Sequence, residues 1–112
     1  MHEEKRGSLL RIYIGENDHH ERRPLYEWIV RKAREQGLAG ATVLRGLEGF
    51  GAKSHLHTAN ILRLSTDLPI LIEIVDTRDK IDAFLPLIED AIEDGLATIE
   101  QVEILFYRSR GK

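Results

Sequence analysis

Cysteine is absent from this chain of 112 residues. Without it the protein has no disulfide framework, no thiolate metal ligand and no cysteine nucleophile, and the absence is typical of a cytoplasmic protein. Long apolar runs are also absent, since none approaches the ~20 residues of a membrane-spanning helix. The charged start of the chain is not followed by the apolar segment of a secretory signal. We therefore predict a cytoplasmic protein.

The chain also lacks a basic stripe, and its net charge is -3 with a pI of about 5.9. Nucleic acid is therefore not a predicted partner. Hydrophobic residues make up 42% and charged residues 31% of the sequence, which is the composition of a globular domain. We expect one domain over residues 8–112, preceded by a flexible polar tail of residues 1–7.

Alternating apolar residues and helical spacings predict six elements. Strands are expected over residues 8–15, 41–47, 70–75 and 98–107. One helix is expected from Pro24 to Gly37, and the other from a cap at Thr77 to Gly95. The order strand, helix, strand, strand, helix, strand is that of a ferredoxin-like α+β fold, in which a four-stranded antiparallel sheet carries both helices on one face. Residues 52–68 lack a clean period, so we expect a long excursion there, with a short strand near residues 60–64.

One face of this sheet is left without an element to cover it. We expect the helices to cover one face, formed by Leu10, Ile12 and Ile14, by Ile70, Ile72 and Ile74, and by Val102, Ile104 and Phe106. The opposite face would show Leu9, Arg11 and Tyr13, then Leu71, Glu73 and Val75, then Glu103, Leu105 and Tyr107. Arg11 would lie between Glu73 and Glu103, with which it could pair. Because so large an apolar patch usually marks an interface, we predict an oligomer packed through its sheets.

Two segments could bind an anion. The glycine-rich residues 46–51 could offer backbone N–H groups to a phosphate, with Lys53 as a cation beside them; alternatively, the glycines only allow a bulge and a sharp exit from the strand. Arg108 and Arg110 alternate along the C-terminal tail, so both could reach phosphate oxygens from one side. An ordinary charged terminus is the alternative.

His55 and His57 form a further candidate site. In a strand the two imidazoles would lie on one face and, with a carboxylate, could hold a transition metal; solvated loop histidines are the alternative. The sequence shows no nucleophile elbow and no paired acid and base, so we do not predict an enzyme.

Several motifs are similar to those of a known family. Leu10-Arg-Ile-Tyr-Ile-Gly-Glu16, Gly49-Phe-Gly51 and Leu68-Pro-Ile-Leu-Ile-Glu-Ile-Val-Asp76 resemble the PII-like signalling proteins, specifically the domain-of-unknown-function 190 family. The resemblance runs from Leu9 to Phe106. It implies a trimer of ferredoxin-like subunits.

The resemblance also implies a binding site and a signalling loop. In PII proteins the long loop after strand two, the T-loop, contacts partner proteins, and small effectors, typically adenine nucleotides, bind between subunits near its base. By position that base is Gly49, Phe50 and Gly51, and the T-loop begins at Ala52. Arg108 and Arg110 are similar to two arginines that hold phosphates late in PII chains.

The chain departs from PII proteins at three places. Residues 93–97 form a short acidic loop where PII proteins have a basic, glycine-rich one. Ile70 replaces the lysine that follows Leu-Pro, and residues 52–65 contain no tyrosine, which excludes uridylylation there. These departures leave the effector open between an adenine nucleotide and another small anion.

Residues and resemblance together predict a regulatory protein. It would be a homotrimer that binds a small anionic effector through Gly49, Phe50, Gly51, Lys53, Arg108 and Arg110 and signals to a protein partner. A membrane transport or channel protein is the suggested partner. The alternative is a trimer of the divalent-cation tolerance type, in which His55 and His57 bind the metal.

Overall fold

The computed structural model describes residues 6–50, 56–58 and 67–110. Eight strands and two helices occur within these ranges, in the following order: β1 Arg6–Gly15, β2 His19–His20, β3 Arg23–Pro24, α1 Leu25–Glu35, β4 Thr42–Arg45, β5 Glu48–Phe50, β6 Leu56–Thr58, β7 Pro69–Asp76, α2 Arg78–Ile88, the 3-10 turn Glu89–Ala91, and β8 Leu96–Glu103. In the part of the chain described, no helix has the length and apolar character to cross a membrane.

Four of the strands form one antiparallel sheet in the order β4-β7-β1-β8. This order, with two helices, confirms the predicted ferredoxin-like α+β fold. The chain's longest strand, β1, lies inside the sheet between β7 and β8, while β4 and β8 are the edges.

The core lies between the sheet and the two helices. Alternate residues of β1 and β7 are buried, as the alternation predicts, and they face each other as Leu10↔Ile74, Ile12↔Ile72 and Ile14↔Ile70. Apolar residues at helical spacing on α1 and α2 complete the same cluster: Leu25, Ile29, Ala33, Ile81, Phe84 and Ile88. Burial of the leucine, isoleucine and phenylalanine side chains of this cluster, at about 1.5–3 kcal/mol each, is the main stabilising contribution.

Both helix starts and the end of α1 follow the predicted signals, whereas α2 does not reach its predicted end at Gly95: it ends at Ile88 and is followed only by the 3-10 turn Glu89–Ala91. Pro24 precedes α1 as its cap residue, and Gly37 adopts a left-handed φ of 76° just after the helix, a conformation that suits glycine. Thr77 caps α2, since its Oγ1 accepts a hydrogen bond from Lys80 N at 3.4 Å. Arg6 and Gly7, which were predicted to belong to a flexible tail of residues 1–7, lie in β1, and residues 1–5 lie outside the described residues.

The last strand differs from its prediction in both position and face. It begins at Leu96 and ends at Glu103, and the pairing Leu10↔Ile99 places Ile99 on the helix side. Val102 pairs with Gly7 and therefore lies on the opposite face, so the predicted assignment of Val102 is wrong. A shift of one residue exchanges the two faces of a strand. The apolar residues that suggested the other phase, Ile104 and Phe106, follow the strand and are not part of it.

Two small antiparallel ribbons were not predicted. The first pairs β2 with β3, which are joined by Glu21 and Arg22; both of these residues have positive φ, at 53° and 68°. The second ribbon pairs β5 with β6. The short strand expected near residues 60–64 lies outside the described residues.

Candidate functional site

The base of the predicted T-loop leaves the sheet beside the start of β7. Gly46 N donates a hydrogen bond to Pro69 O at 2.8 Å, and a Cβ on Gly46 would come within 2.8 Å of Pro69 Cγ. A larger residue at position 46 would collide with Pro69, which explains why glycine occupies this position. Beyond it the chain enters β5, where Gly49 pairs with His57 of β6. The excursion therefore begins as a two-stranded ribbon.

Hydrogen bonds and an ion pair tie this loop base to the end of β1. Arg45 Nη2 lies 2.7 Å from Glu16 Oε2, and Glu16 N donates to Leu68 O at 2.8 Å. Asn17 N donates to Asp67 Oδ1 at 2.7 Å. These contacts hold the start and the end of the excursion against the same end of the sheet.

Some predicted site residues lie outside the described residues. Gly51, Lys53 and His55 are among them, whereas Gly49 and Phe50 lie in β5. Within the ranges that the structure describes, no group of three or more His, Asp or Glu residues is close enough to hold a metal ion. Because His55 is not in those ranges, a metal site at His55 and His57 stays a prediction.

The tail that carries the two C-terminal arginines leaves the sheet at its other end. After Glu103, which is opposite Arg6 in the register, the chain leaves β8. Tyr107 Oη then donates to Ala39 O at 3.1 Å, and the Arg108 guanidinium lies 4.4 Å from the centre of the Phe106 ring. The tail thus contacts the segment between α1 and β4.

A buried carboxylate that sequence reasoning did not identify as functional anchors that segment. Asp76 is 2% exposed at the end of β7, and its Oδ2 accepts from Ala39 N at 2.8 Å while its Oδ1 accepts from Thr77 N at 2.7 Å. It therefore joins the segment before β4 to the start of α2. The sequence signal that could have identified Asp76 is its position, an acidic residue between an apolar strand and the helix cap Thr77.

Among the described residues of one chain, Gly49 and Phe50 of the predicted effector site lie far from the C-terminal tail. The loop base lies beside the pair Gly15↔Pro69, whereas the tail lies beside the pair Ser8↔Asp76. Seven strand residues separate these pairs, which is roughly 23 Å at about 3.3 Å per residue. A site made from both halves would need a second copy of the chain.

One face of the sheet is not covered by any described element, and we name it the uncovered face. Its side chains form rows that run across the strands, one through Leu44, Leu71, Tyr13 and Leu96 and the next through Glu73 and Arg11. One row is apolar, and its side chains are exposed by 48% at Leu44, 39% at Tyr13 and 58% at Leu96, with Leu71 between the first two. This confirms an apolar face without a covering element in the described chain.

A charged row crosses the middle of the uncovered face. Arg11 Nε donates to Glu73 Oε2 at 3.1 Å, as predicted, and Arg11 Nη1 donates to Glu100 Oε1 at 2.9 Å. The second partner is not the predicted Glu103, which lies opposite Arg6 instead. The hydrogen bond that Arg11 donates to Glu73, together with the charge of Glu100, raises the pKa of Arg11 above its ordinary value. One cation therefore pairs with both carboxylates, which leaves a formal charge of -1 on this row.

Comparison with known proteins identifies what this arrangement is similar to. The family model of DUF190, described as an uncharacterized ACR, matches residues 7–104. A UPF0166 protein of Aquifex aeolicus (strain VF5) is 37% identical over 98 residues, which are 88% of this chain and 92% of that protein.

Two solved structures share the fold. CPII of Thiomonas intermedia K12, a nitrogen regulatory PII-like protein bound to ADP, AMP and bicarbonate, has a TM-score of 0.68 at 15% identity and covers 88% of each chain. The divalent ion tolerance protein CutA1 of Ehrlichia chaffeensis has a TM-score of 0.56 at 14% identity, covering 95% of this chain and 88% of that one.

Proposed function

Since the chain belongs to the DUF190 family and has the fold of PII-like proteins, we propose that it is a non-enzymatic regulatory protein. It binds a small anionic effector, an adenine nucleotide, between the subunits of a homotrimer. It passes the binding state to a protein partner through the T-loop, residues 52–68. The partner class suggested by the family resemblance is a membrane transport or channel protein.

The separation of the two half-sites is the observation that carries this proposal. In a cyclic trimer each interface joins two different patches, one from each neighbour. The loop base of one subunit can then meet the tail of the next, although the two lie roughly 23 Å apart within a chain. The uncovered face supplies the apolar surface through which the copies pack. Effector binding in this arrangement requires the trimer.

The chemistry of the two half-sites suits a nucleotide. The backbone N–H groups of Gly49, Phe50 and Gly51, with Lys53, would bind one side of a phosphate, and Arg108 and Arg110 the other. Two guanidinium groups on alternate residues of an extended segment can reach one phosphate chain together. The structural neighbour CPII, bound to ADP and AMP, supports a nucleotide as the first effector to test.

Removal of the two tail arginines tests the site. Each charge-assisted hydrogen bond is worth about 1.5–3 kcal/mol where it is desolvated, so the double variant R108A/R110A should bind ADP or AMP about tenfold or more weakly in calorimetry. The trimer should persist in light scattering, because the tail residues lie outside the sheet. The matched control is R31A/R34A, which removes two exposed arginines from α1 and should leave affinity unchanged. Equal affinities for wild type and R108A/R110A would show that the tail is no part of the site.

A divalent-metal protein is the second candidate function. It is favoured by the fold shared with the divalent ion tolerance protein CutA1 and by the pair His55 and His57. Calorimetry with Zn²⁺ or Cu²⁺ tests it, with the double variant H55A/H57A and the control H19A. Metal binding that is equal in all three proteins would exclude these histidines as ligands.

A further inference from the structure

The tail exposes large apolar side chains just after the last strand. Beyond the end of β8 at Glu103, the exposed fraction is 83% at Leu105, 68% at Phe106 and 50% at Tyr107. The value at Leu105 is the highest among the large apolar residues that the structure describes. Three such residues in succession, left in water, indicate a contact surface.

This part of the tail is attached to its own chain on both sides. Ile104 lies against Gly7, since a Cβ on Gly7 would come within 2.6 Å of Ile104 Cδ1. By alternation along β1, Gly7 belongs to the uncovered face. On the other side, Tyr107 Oη donates to Ala39 O at 3.1 Å. The two residues between Ile104 and Tyr107 are therefore held in place although their side chains are exposed.

The apolar row of the uncovered face lies too far away to cover these side chains within one chain. Leu96 of the row pairs with Tyr13, whereas Glu103 pairs with Arg6. Seven strand residues therefore separate the row from the end of β8, which is roughly 23 Å at about 3.3 Å per residue. Even if the next two residues turned back fully, Leu105 would remain roughly 16 Å from the row. Only another copy of the chain can bring the two together.

The tail and the loop base carry matching groups at matching spacing. In the tail, Leu105 precedes Arg110 by five residues; at the loop base, Leu44 of the apolar row precedes Gly49 by five residues. A tail whose arginines reach the loop base of the next copy therefore also brings its apolar residues to the apolar row of that copy.

The charges of the two regions are complementary. Four carboxylates and one cation, a formal charge of -3, occur in the segments that meet at the loop-base end of the sheet, residues 13–18, 44–50 and 67–70. The tail segment 104–110 carries two arginines and no acidic residue. Opposite charges attract the tail of one copy to this end of the next copy and fix its orientation there.

From these observations we propose that Leu105 and Phe106 anchor the tail of each subunit on the apolar row of the next copy. The anchor holds Arg108 and Arg110 at the effector site between subunits. The Arg108 guanidinium lies 4.4 Å from the centre of the Phe106 ring, so the anchor positions this arginine directly. The inference rests on the homotrimer of the proposed function and assigns residues outside the sheet to its interface.

Disulfide crosslinking tests where the tail binds, because the chain has no cysteine of its own. Under mild oxidation, L96C/L105C and L44C/L105C should form covalent dimers and trimers. A disulfide requires Cα atoms within about 7 Å, so a bond between the tail and the row cannot form within one chain. The matched control L87C/L105C, with its second cysteine on α2, should give no more crosslinked product than L105C alone. Absence of additional crosslinks from both row variants in a trimeric protein overturns the proposal.

Sedimentation tests what the anchor contributes. In L105S/F106S the association at each interface should weaken about a hundredfold or more, and affinity for ADP should fall with it. At concentrations where both proteins are monomeric, their melting temperatures should agree, because the two side chains are already in water in the single chain. The apolar variant L105M/F106L should restore association, and Leu87→Ser should leave it unchanged.

The outcomes separate the anchor from the rest of the proposed function. A trimeric wild type with an equally tight L105S/F106S trimer overturns the anchor and leaves the homotrimer standing. A monomeric wild type overturns both. Weakened association in L105S/F106S, in a wild-type trimer that does not bind ADP, supports the anchor and overturns only the nucleotide as effector.

Discussion

A single aspartate on the uncovered face should dissociate the proposed trimer without unfolding the subunit. Leu44 lies on the edge strand β4 in the apolar row and is 48% exposed. Since full burial of a leucine side chain is worth about 1.5–3 kcal/mol, covering the exposed half in an interface contributes roughly 1 kcal/mol per copy. In the Leu44→Asp variant this contribution is lost, and a buried carboxylate adds a desolvation penalty of several kcal/mol.

The expected change in association is large. A net loss of about 3 kcal/mol at each interface weakens association by roughly two decades per interface, since ~1.4 kcal/mol is tenfold. Light scattering at micromolar concentration should therefore give a mass near 12.8 kDa for Leu44→Asp and three times that for wild type. The melting curve should show a cooperative transition in both, because half of the Leu44 side chain is already in water in the single chain.

Leu87→Asp is the matched control, because Leu87 is 45% exposed but lies on α2, away from the uncovered face. It should remain trimeric. The dissociated Leu44→Asp variant should also lose affinity for ADP, because the two half-sites of the effector site then no longer meet. A trimeric Leu44→Asp variant, or a wild-type protein that is monomeric at micromolar concentration, would refute packing through this face.

Three further substitutions test the fold and the charged row. Asp76→Asn leaves one acceptor oxygen for two backbone N–H donors, so the free energy of unfolding should fall by about 1–3 kcal/mol in urea denaturation; no loss would contradict the bridging role of this carboxylate. Ile72→Ala opens a cavity at the centre of the sheet and should cost about 2–5 kcal/mol in the same assay, whereas Leu47→Ala at an exposed position should cost under about 0.5. Arg11→Gln removes the cation that lies between Glu73 of β7 and Glu100 of β8, so the melting temperature of the variant should fall below that of wild type, and further at about 0.02 M than at about 0.5 M salt. A salt-independent difference would show that the ion pairs contribute little.

The elements with strong local signals were predictable from sequence. These signals are local: the apolar alternation of β1 and β7 and the caps at Thr77 and Gly37 each depend on only a few neighbouring residues. Their pattern therefore predicted both the type and the position of each element. The order of these elements then sufficed for the ferredoxin-like fold. The uncovered face was predictable from the same element order, because both helices of this fold lie on one side of the four-stranded sheet.

Features decided by pairing between distant segments were not predictable in the same way. The face of β8 depends on its register with β1, and the apolar residues after Glu103 suggested the opposite phase. The turn at Glu21 and Arg22 uses left-handed backbone conformations without glycine, so it carries none of the usual turn signals.

The candidate effector site shows the same division between local and tertiary information. Residue type alone indicated that the backbone N–H groups of the glycines around Gly49 and the guanidinium groups of Arg108 and Arg110 suit an anion. These are properties of the individual residues and do not depend on the fold. Their relative positions depend on the sheet. Because β8 runs antiparallel to β1, the tail emerges beside the start of β1, while the T-loop base leaves beside its end. Only the tertiary structure could place the T-loop base and the tail at opposite ends of one sheet, because the pairing of β1 with β7 and β8 joins segments that are distant in the sequence.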